Sequence, residues 1–149
     1  MARTRDRSVA RTGDRVLRLA AYAWAAPYTL VGLTIGLLAV VLGARPQIMC
    51  GNLEIGGGLL GRWFAAIPAR WRFSAITFGH VILATSREAL CHVRAHECVH
   101  VRQYERWGIL FVPAYLSSSL WQALRGRNPY RANRFEMEAY AKEAHSKGP

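Results

Sequence analysis

The residues Ala95–Tyr104, AHECVHVRQY, contain His96-Glu97-Cys98-Val99-His100, an HExxH motif. On a helix, residues four apart lie one turn apart on the same face, roughly 6 Å up the axis. Two imidazoles placed that way can reach one zinc ion, and the glutamate beside the first can act as a base toward a water that the ion activates. The competing reading is a pair of satisfied core histidines, with Glu97 in a salt bridge.

A catalytic zinc usually holds three protein ligands. Of the nine acidic residues, Asp6 and Asp14 lie near the N-terminus and the rest are Glu. Glu97 already has a role in the motif, and Glu88 and Glu105 share its helix but lie off the histidine face. Glu54 falls in an expected hairpin. Glu136, Glu138 and Glu143 remain, on a C-terminal helix that Asn133 is expected to cap. Glu136 also has a structural reading, as the capping-box partner of Asn133. His92 continues the four-residue spacing of His96 and His100, but His92 to His100 rises about 12 Å, too far for one ion. His80 reads as structural.

These residues need elements to hold them. Thr85-Ser86-Arg87-Glu88 reads as a capping box, and Gly108 sits where a glycine stops a helix. At about 100° per residue, Ala89, Val93, His96, His100, Tyr104 and Trp107 fall within roughly 80° of one another, with Arg87, Arg94, Arg102 and Glu105 opposite. Phe73–Thr85, rich in β-branched and aromatic residues, reads as one strand entering this helix, with a bulge at Gly79-His80. Pro68–Arg72 is a basic break before it. Gln47–Ile55 and Leu59–Phe64 flank Gly56-Gly57-Gly58 and are expected to pair as a hairpin. Gly108–Leu124 is uncharged but is interrupted by Pro113 and Ser117-Ser118-Ser119. Residues 125–134 form a basic loop.

The N-terminal third differs in character. Residues 1–18 carry arginine at 3, 5, 7, 11, 15 and 18 and read as a disordered basic arm. Residues 19–44 then run without a charge; as a helix they rise roughly 39 Å, enough for a ~30 Å hydrocarbon core. This predicts a membrane-associated helix, kinked at Pro27, with Gly32 and Gly36 as a GxxxG packing signal. Residues 45–149 then form the remaining domain.

The net charge of +11 comes from 20 Lys+Arg against 9 Asp+Glu. No helix-turn-helix, zinc-finger or RNP-like signature accompanies it, so no nucleic-acid partner is expected. An anionic membrane surface attracts the same charge. Cys50, Cys91 and Cys98 cannot all pair with one another, and Cys91 and Cys98 lie two helical turns apart, which rules out a disulfide scaffold.

HECVH after TFGHVILAT, with FEMEAYA some 36 residues beyond His100, resembles the gluzincin-type zinc metallopeptidases, including membrane members of the HtpX and CAAX-prenyl-protease type. HVRQYERWGILFVPAYL with NPYRANRFEMEA resembles a group of short bacterial zincin-like proteins more closely still. The resemblance covers roughly residues 73–145. It implies His96, His100 and Glu136 as Zn2+ ligands and Glu97 as the base, with Glu138 as the other carboxylate to weigh. Tyr140 stands where those peptidases carry an acidic residue that steadies a ligating histidine. Tyr104, Tyr115, Tyr130 and Tyr140 are all candidates for stabilising an oxyanion.

The expectation is an α+β fold: a small zincin-like core of short strands, the HExxH helix and a C-terminal Glu helix, with an N-terminal membrane helix. The expected activity is hydrolysis of a peptide or protein substrate, at a membrane (in a bacterium, the inner one) with membrane lipids as partners. The alternative is a non-enzymatic, membrane-anchored interaction protein with a structural or vestigial metal site.

Overall fold

The computed structural model of the chain describes residues 3–67 and 73–146. In order these are α1 (Arg3–Val41), β1 (Arg45–Met49), β2 (Asn52–Gly56), α2 (Gly58–Ala66), β3 (Ala75–Phe78), β4 (Val81–Ala84), α3 (Arg87–Trp107), a 3-10 turn (Gly108–Leu110), α4 (Phe111–Leu124) and α5 (Arg134–Ser146). The fold is α+β, with one mixed sheet in the order β1-β2-β4-β3. β1 and β3 are antiparallel to their neighbours, and β2 runs parallel to β4.

The sheet is covered on both faces. Val81 and Leu83 of β4, with Ile55 of β2, pack on Ala39 of α1 and on Ala44 in the turn that follows it. Ile82, on the alternate side of β4, packs on Leu90 and Val101 of α3. The two-residue side-chain period of a strand assigns each residue its layer. One row across the sheet, Gln47, Glu54, Ile82 and Thr77, is set in register by the three strand pairings. Its polar members face α3 and find partners there: Arg94 donates to both oxygens of the fully buried Glu54 at 2.7 and 3.0 Å, and Thr77 reaches Glu97.

Several boundaries differ from the sequence expectation. The hairpin is β1–β2, turning at Cys50-Gly51, and Leu59–Phe64 is helical within α2. An apolar run of that length does not itself distinguish a buried strand from a helix. Residues 73–85 are not one bulged strand but the hairpin β3–β4, and its two-residue turn puts Gly79 at φ 58°. A side chain is strained at that φ, which is why a Gly-X pair makes such a turn. The N-cap of α3 is Ser86 rather than Thr85; its hydroxyl accepts from the Ala89 N–H at 3.1 Å. α1 is helical from Arg3, where a disordered arm was expected. The basic break at 68–72 lies outside the described residues.

α1 packs on the sheet through its glycines. A Cβ on Gly32 would lie 2.8 and 2.9 Å from the Cβ atoms of Val81 and Phe78, and one on Gly36 would meet Ile55. The GxxxG therefore serves this intramolecular contact. α3 is buried over a wider arc than its histidine face: Leu90, Glu97 and Val101 are covered by the sheet side. Arg94, expected to face solvent, turns in to Glu54.

Candidate metal centre

α3 supplies two imidazoles one turn apart, and α5 brings a carboxylate to them. The Asn133 side chain accepts from the Phe135 N–H at 2.9 Å, capping α5, and donates to the Tyr115 carbonyl and the Ser119 hydroxyl, which ties that cap to α4. Glu136 is thereby free of the capping role and points to the histidines. His96 Nε2 lies 3.1 Å from His100 Nε2 and 3.2 Å from Glu136 Oε2, and His100 Nε2 lies 3.5 Å from Glu136 Oε1. All three residues are buried.

This cradle fits a metal ion. A tetrahedral zinc with bonds of about 2.0–2.2 Å holds its ligand atoms roughly 3.3–3.6 Å apart. The three residues each offer a ligand atom, all within 4.8 Å of one another. Glu136 Oε2 is also a buried oxygen without a hydrogen-bond donor, which a cation would satisfy. The buried His-His-Glu group can hold a metal ion; nothing in its geometry names the element.

Neighbouring groups fix these three side chains in place. Gln103 donates through its amide nitrogen to the Phe135 carbonyl and to Glu138, each at 3.0 Å, so its oxygen must face His100 Nδ1, 2.9 Å away. That arrangement makes Nδ1 the protonated nitrogen and leaves the Nε2 lone pair aimed at Glu136. Glu138, the alternative third ligand, is committed to Gln103 and Lys142 and does not enter the cradle. On the other side, His96 Nδ1 lies 3.5 Å from Glu143, and the Tyr140 ring packs on the imidazole at a centroid distance of 4.7 Å. A carboxylate thus stands beside His96 one turn after Tyr140. Tyr115 donates to Glu136 Oε1 at 2.8 Å.

Charge in the cluster is tightly balanced. Burial works against ionised Glu136, but His96, His100, Tyr115 and Tyr130 outweigh it and hold its pKa below the usual carboxylate value. Burial likewise opposes a charged His96, yet the bond to Glu136 and the charges of Glu97, Glu136 and Glu143 raise its pKa. Glu97 has its pKa raised by burial, against the pull of His100 and a 2.7 Å hydrogen bond from Thr77. Burial also pushes the pKa of Tyr104, Tyr115 and Tyr130 upward, so all three keep their protons.

A pocket of about 320 Å³ opens onto Glu97, His100 and Glu136. Its walls are Ala75–Phe78 of β3, an edge strand, and Phe111, Val112 and Tyr115 of α4. The other three histidines lie elsewhere, His145 beside the Ala141 carbonyl on the surface of α5. His80 stacks on Tyr22 and reaches Thr29 and Glu105, tying α1 to α3, and His92 bonds the Glu88 carbonyl on the surface. Thr77 and Gln103 were not singled out from sequence, and Glu143 was weighed there only as a third ligand, not as a partner of His96 Nδ1. Gln103 stands three residues from His100, and Glu143 seven from Glu136, so each shares a helical face with a ligand.

In comparisons with known proteins, the chain matches no protein-family model, no curated protein and no solved structure. What the site can do is read from its own residues.

Proposed function

We propose that the protein is a membrane-associated, zincin-like metallopeptidase that hydrolyses peptide bonds. One observation carries the reading: Glu97, His100 and Glu136 line the same pocket as the edge strand β3. Two histidines and one carboxylate are the ligand set of many hydrolytic zinc sites, which keep a fourth position open. His96, His100 and Glu136 would hold the zinc, which supplies a Lewis acid that polarises a scissile carbonyl and lowers the pKa of water. Glu97 takes a proton from the attacking water and returns it to the leaving amine. The ion's positive charge favours the ionised form of Glu97 that burial disfavours.

The free edge of β3 can pair with an extended peptide through its backbone, beside the aromatic pocket that receives a side chain. Among the four tyrosines considered from sequence, Tyr104, Tyr115 and Tyr130 line this pocket with their protons retained. They are the candidate hydroxyl donors to a developing oxyanion. Tyr140 packs on His96 instead. Leu17–Val41 is long and apolar enough to cross a membrane, and 22% of its most apolar stretch is buried in the protein, so it is read as the membrane-associating segment.

The test is metal content together with turnover of a peptide library. Zinc near one equivalent per chain, with hydrolysis lost in Glu97→Gln, supports the reading. Zinc without turnover leaves a metal-binding module. Absence of metal from both the wild type and His96→Ala removes the site.

A further inference from the structure

α1 meets the rest of the protein along one stripe. Ala25, Gly32, Gly36 and Ala39 are buried there. Leu30, Leu33, Leu37, Leu38 and Val41 are exposed, Leu37 by 67%, and at about 100° per residue they fan over roughly 140° on the opposite side. The apolar surface does not end with α1. The Trp24 ring lies against Gly108, and the Tyr28 hydroxyl donates to the Ile109 carbonyl at 3.2 Å. Beyond it Leu110, and Leu116, Leu120, Trp121 and Leu124 of α4, are exposed as well, Leu124 by 74%. An apolar surface of this extent marks an interaction face. Arginines flank it: Arg125 lies 4.3 Å over the Trp121 ring, Arg127 and Arg131 are exposed, and the exposed Arg18 precedes most of the apolar part of α1.

The geometry points to an anionic phospholipid bilayer as the partner of this face, with α1 lying along the membrane surface and not crossing it. The inference rests on the membrane association in the reading above and is independent of the metal and of hydrolysis. If α1 crossed, the stripe from Ala25 to Ala39, roughly 21 Å of helix, would sit within a ~30 Å hydrocarbon core. The sheet packed on that stripe would be carried into lipid with it. A sheet whose edge strands, unpaired among the described residues, are β1 and β3 cannot leave those backbone groups unpaired in hydrocarbon, and the Glu54–Arg94 pair would enter as well. Lying flat, α1 and α4 bury their apolar faces while both sheet edges stay in water. The Trp121–Arg125 pair then sits at headgroup level, where tryptophan and arginine are favoured, and the net charge of +11 matches anionic lipid.

The test uses full-length protein with an N-terminal epitope tag, in sealed inverted membrane vesicles. Added protease reports the side of the tag, and a membrane-impermeant maleimide reports the side of the exposed thiols of Cys50 and Cys91. Tag and thiols on the same face of the vesicle are expected. Opposite faces would mean that α1 crosses, which overturns this inference and leaves membrane association standing. In a second arm, detergent-free protein is floated with phosphatidylcholine vesicles with or without one-third phosphatidylglycerol. Binding that needs the anionic lipid is expected, reduced at least tenfold in Arg125→Gln/Arg127→Gln/Arg131→Gln and in Leu120→Glu. Binding equal on both lipids and insensitive to these changes would overturn the inference. A stable soluble dimer that ignores both vesicles would assign the face to a second copy, and would overturn the inference and the membrane reading together.

Discussion

Glu97 and Glu136 lie in the same pocket but face different tasks, and the difference is measurable. Glu97 is held by Thr77 outside the three-atom cradle, so Glu97→Gln should keep zinc while hydrolysis falls by ~100-fold or more. Glu136→Gln removes a charged ligand, so zinc affinity itself should drop, as it should in His96→Ala and His100→Ala. Glu138→Gln should bind zinc normally, because Glu138 only supports Gln103. Loss of metal in Glu138→Gln with retention in Glu136→Gln would reverse the assignment. Glu143→Gln should weaken zinc binding by ~10–100-fold if the carboxylate beside His96 Nδ1 strengthens that ligand; isothermal titration calorimetry separates these cases. The raised pKa of His96 carries a pH consequence of definite sign. In the metal-free protein its protonated form is stabilised by its carboxylate neighbours. That stabilisation is complete below its ordinary value near 6.5 and is lost as pH rises through the higher folded value. Apparent zinc affinity should therefore keep rising above pH 6.5, because the bound proton competes for the site. An affinity that has already levelled off at that pH would contradict the assigned shift.

α3 depends on its ends and on the glycines of the helix that packs beside it. Ser86→Ala removes the N-cap acceptor and should cost about 1 kcal/mol in urea unfolding; Thr85→Ala, off the cap, should cost less. On α1, the two glycines should respond unequally to alanine. At Gly32 the new methyl meets the Cβ atoms of Val81 and Phe78 and the Phe78 carbonyl oxygen at 2.8–3.0 Å, atoms that cannot rotate away. At Gly36 it meets the tip of the Ile55 side chain, which can. Gly32→Ala should thus destabilise by roughly 1–3 kcal/mol, while Gly36→Ala is offset by the better helix propensity of alanine. If the GxxxG served a second helix across a dimer, both changes would instead alter association and leave unfolding of the monomer unmoved.

At the scale of the molecule, α1 is one of the layers that close the core. Ala39 and Ala44, with Ile35 and Val40 beside them, cover Ile55, Val81 and Leu83 on one face of the sheet. Removing residues 1–44 would expose that face, so the truncated chain should aggregate or lose its near-UV circular dichroism. A truncated chain that stays folded and soluble would show that the sheet does not need this layer. The helix is therefore asked to satisfy two partners, the sheet along its small-residue stripe and another apolar environment along its leucines.

The motif helix was legible in the sequence because its signals are local. A capping serine, a C-terminal glycine and histidines at four-residue spacing act within a turn or two of one another. The apolar character of residues 19–44 and the narrowing of the carboxylates to three C-terminal glutamates could be read the same way. Whether Glu136 caps its own helix or faces the histidines could not, since both readings satisfy the same local spacing. The cap that Asn133 makes through α4, and the packing of α5 on α3, turned it inward. The strands were misjudged where the run FSAITFGHVILAT reads equally well as one strand or two, and pairing across the sheet decides between them. Thr77 and Gln103 entered the site in the same way. Each is an unremarkable polar residue in the chain, and acquires a role only when tertiary contacts bury it beside a carboxylate or an imidazole that needs a hydrogen bond.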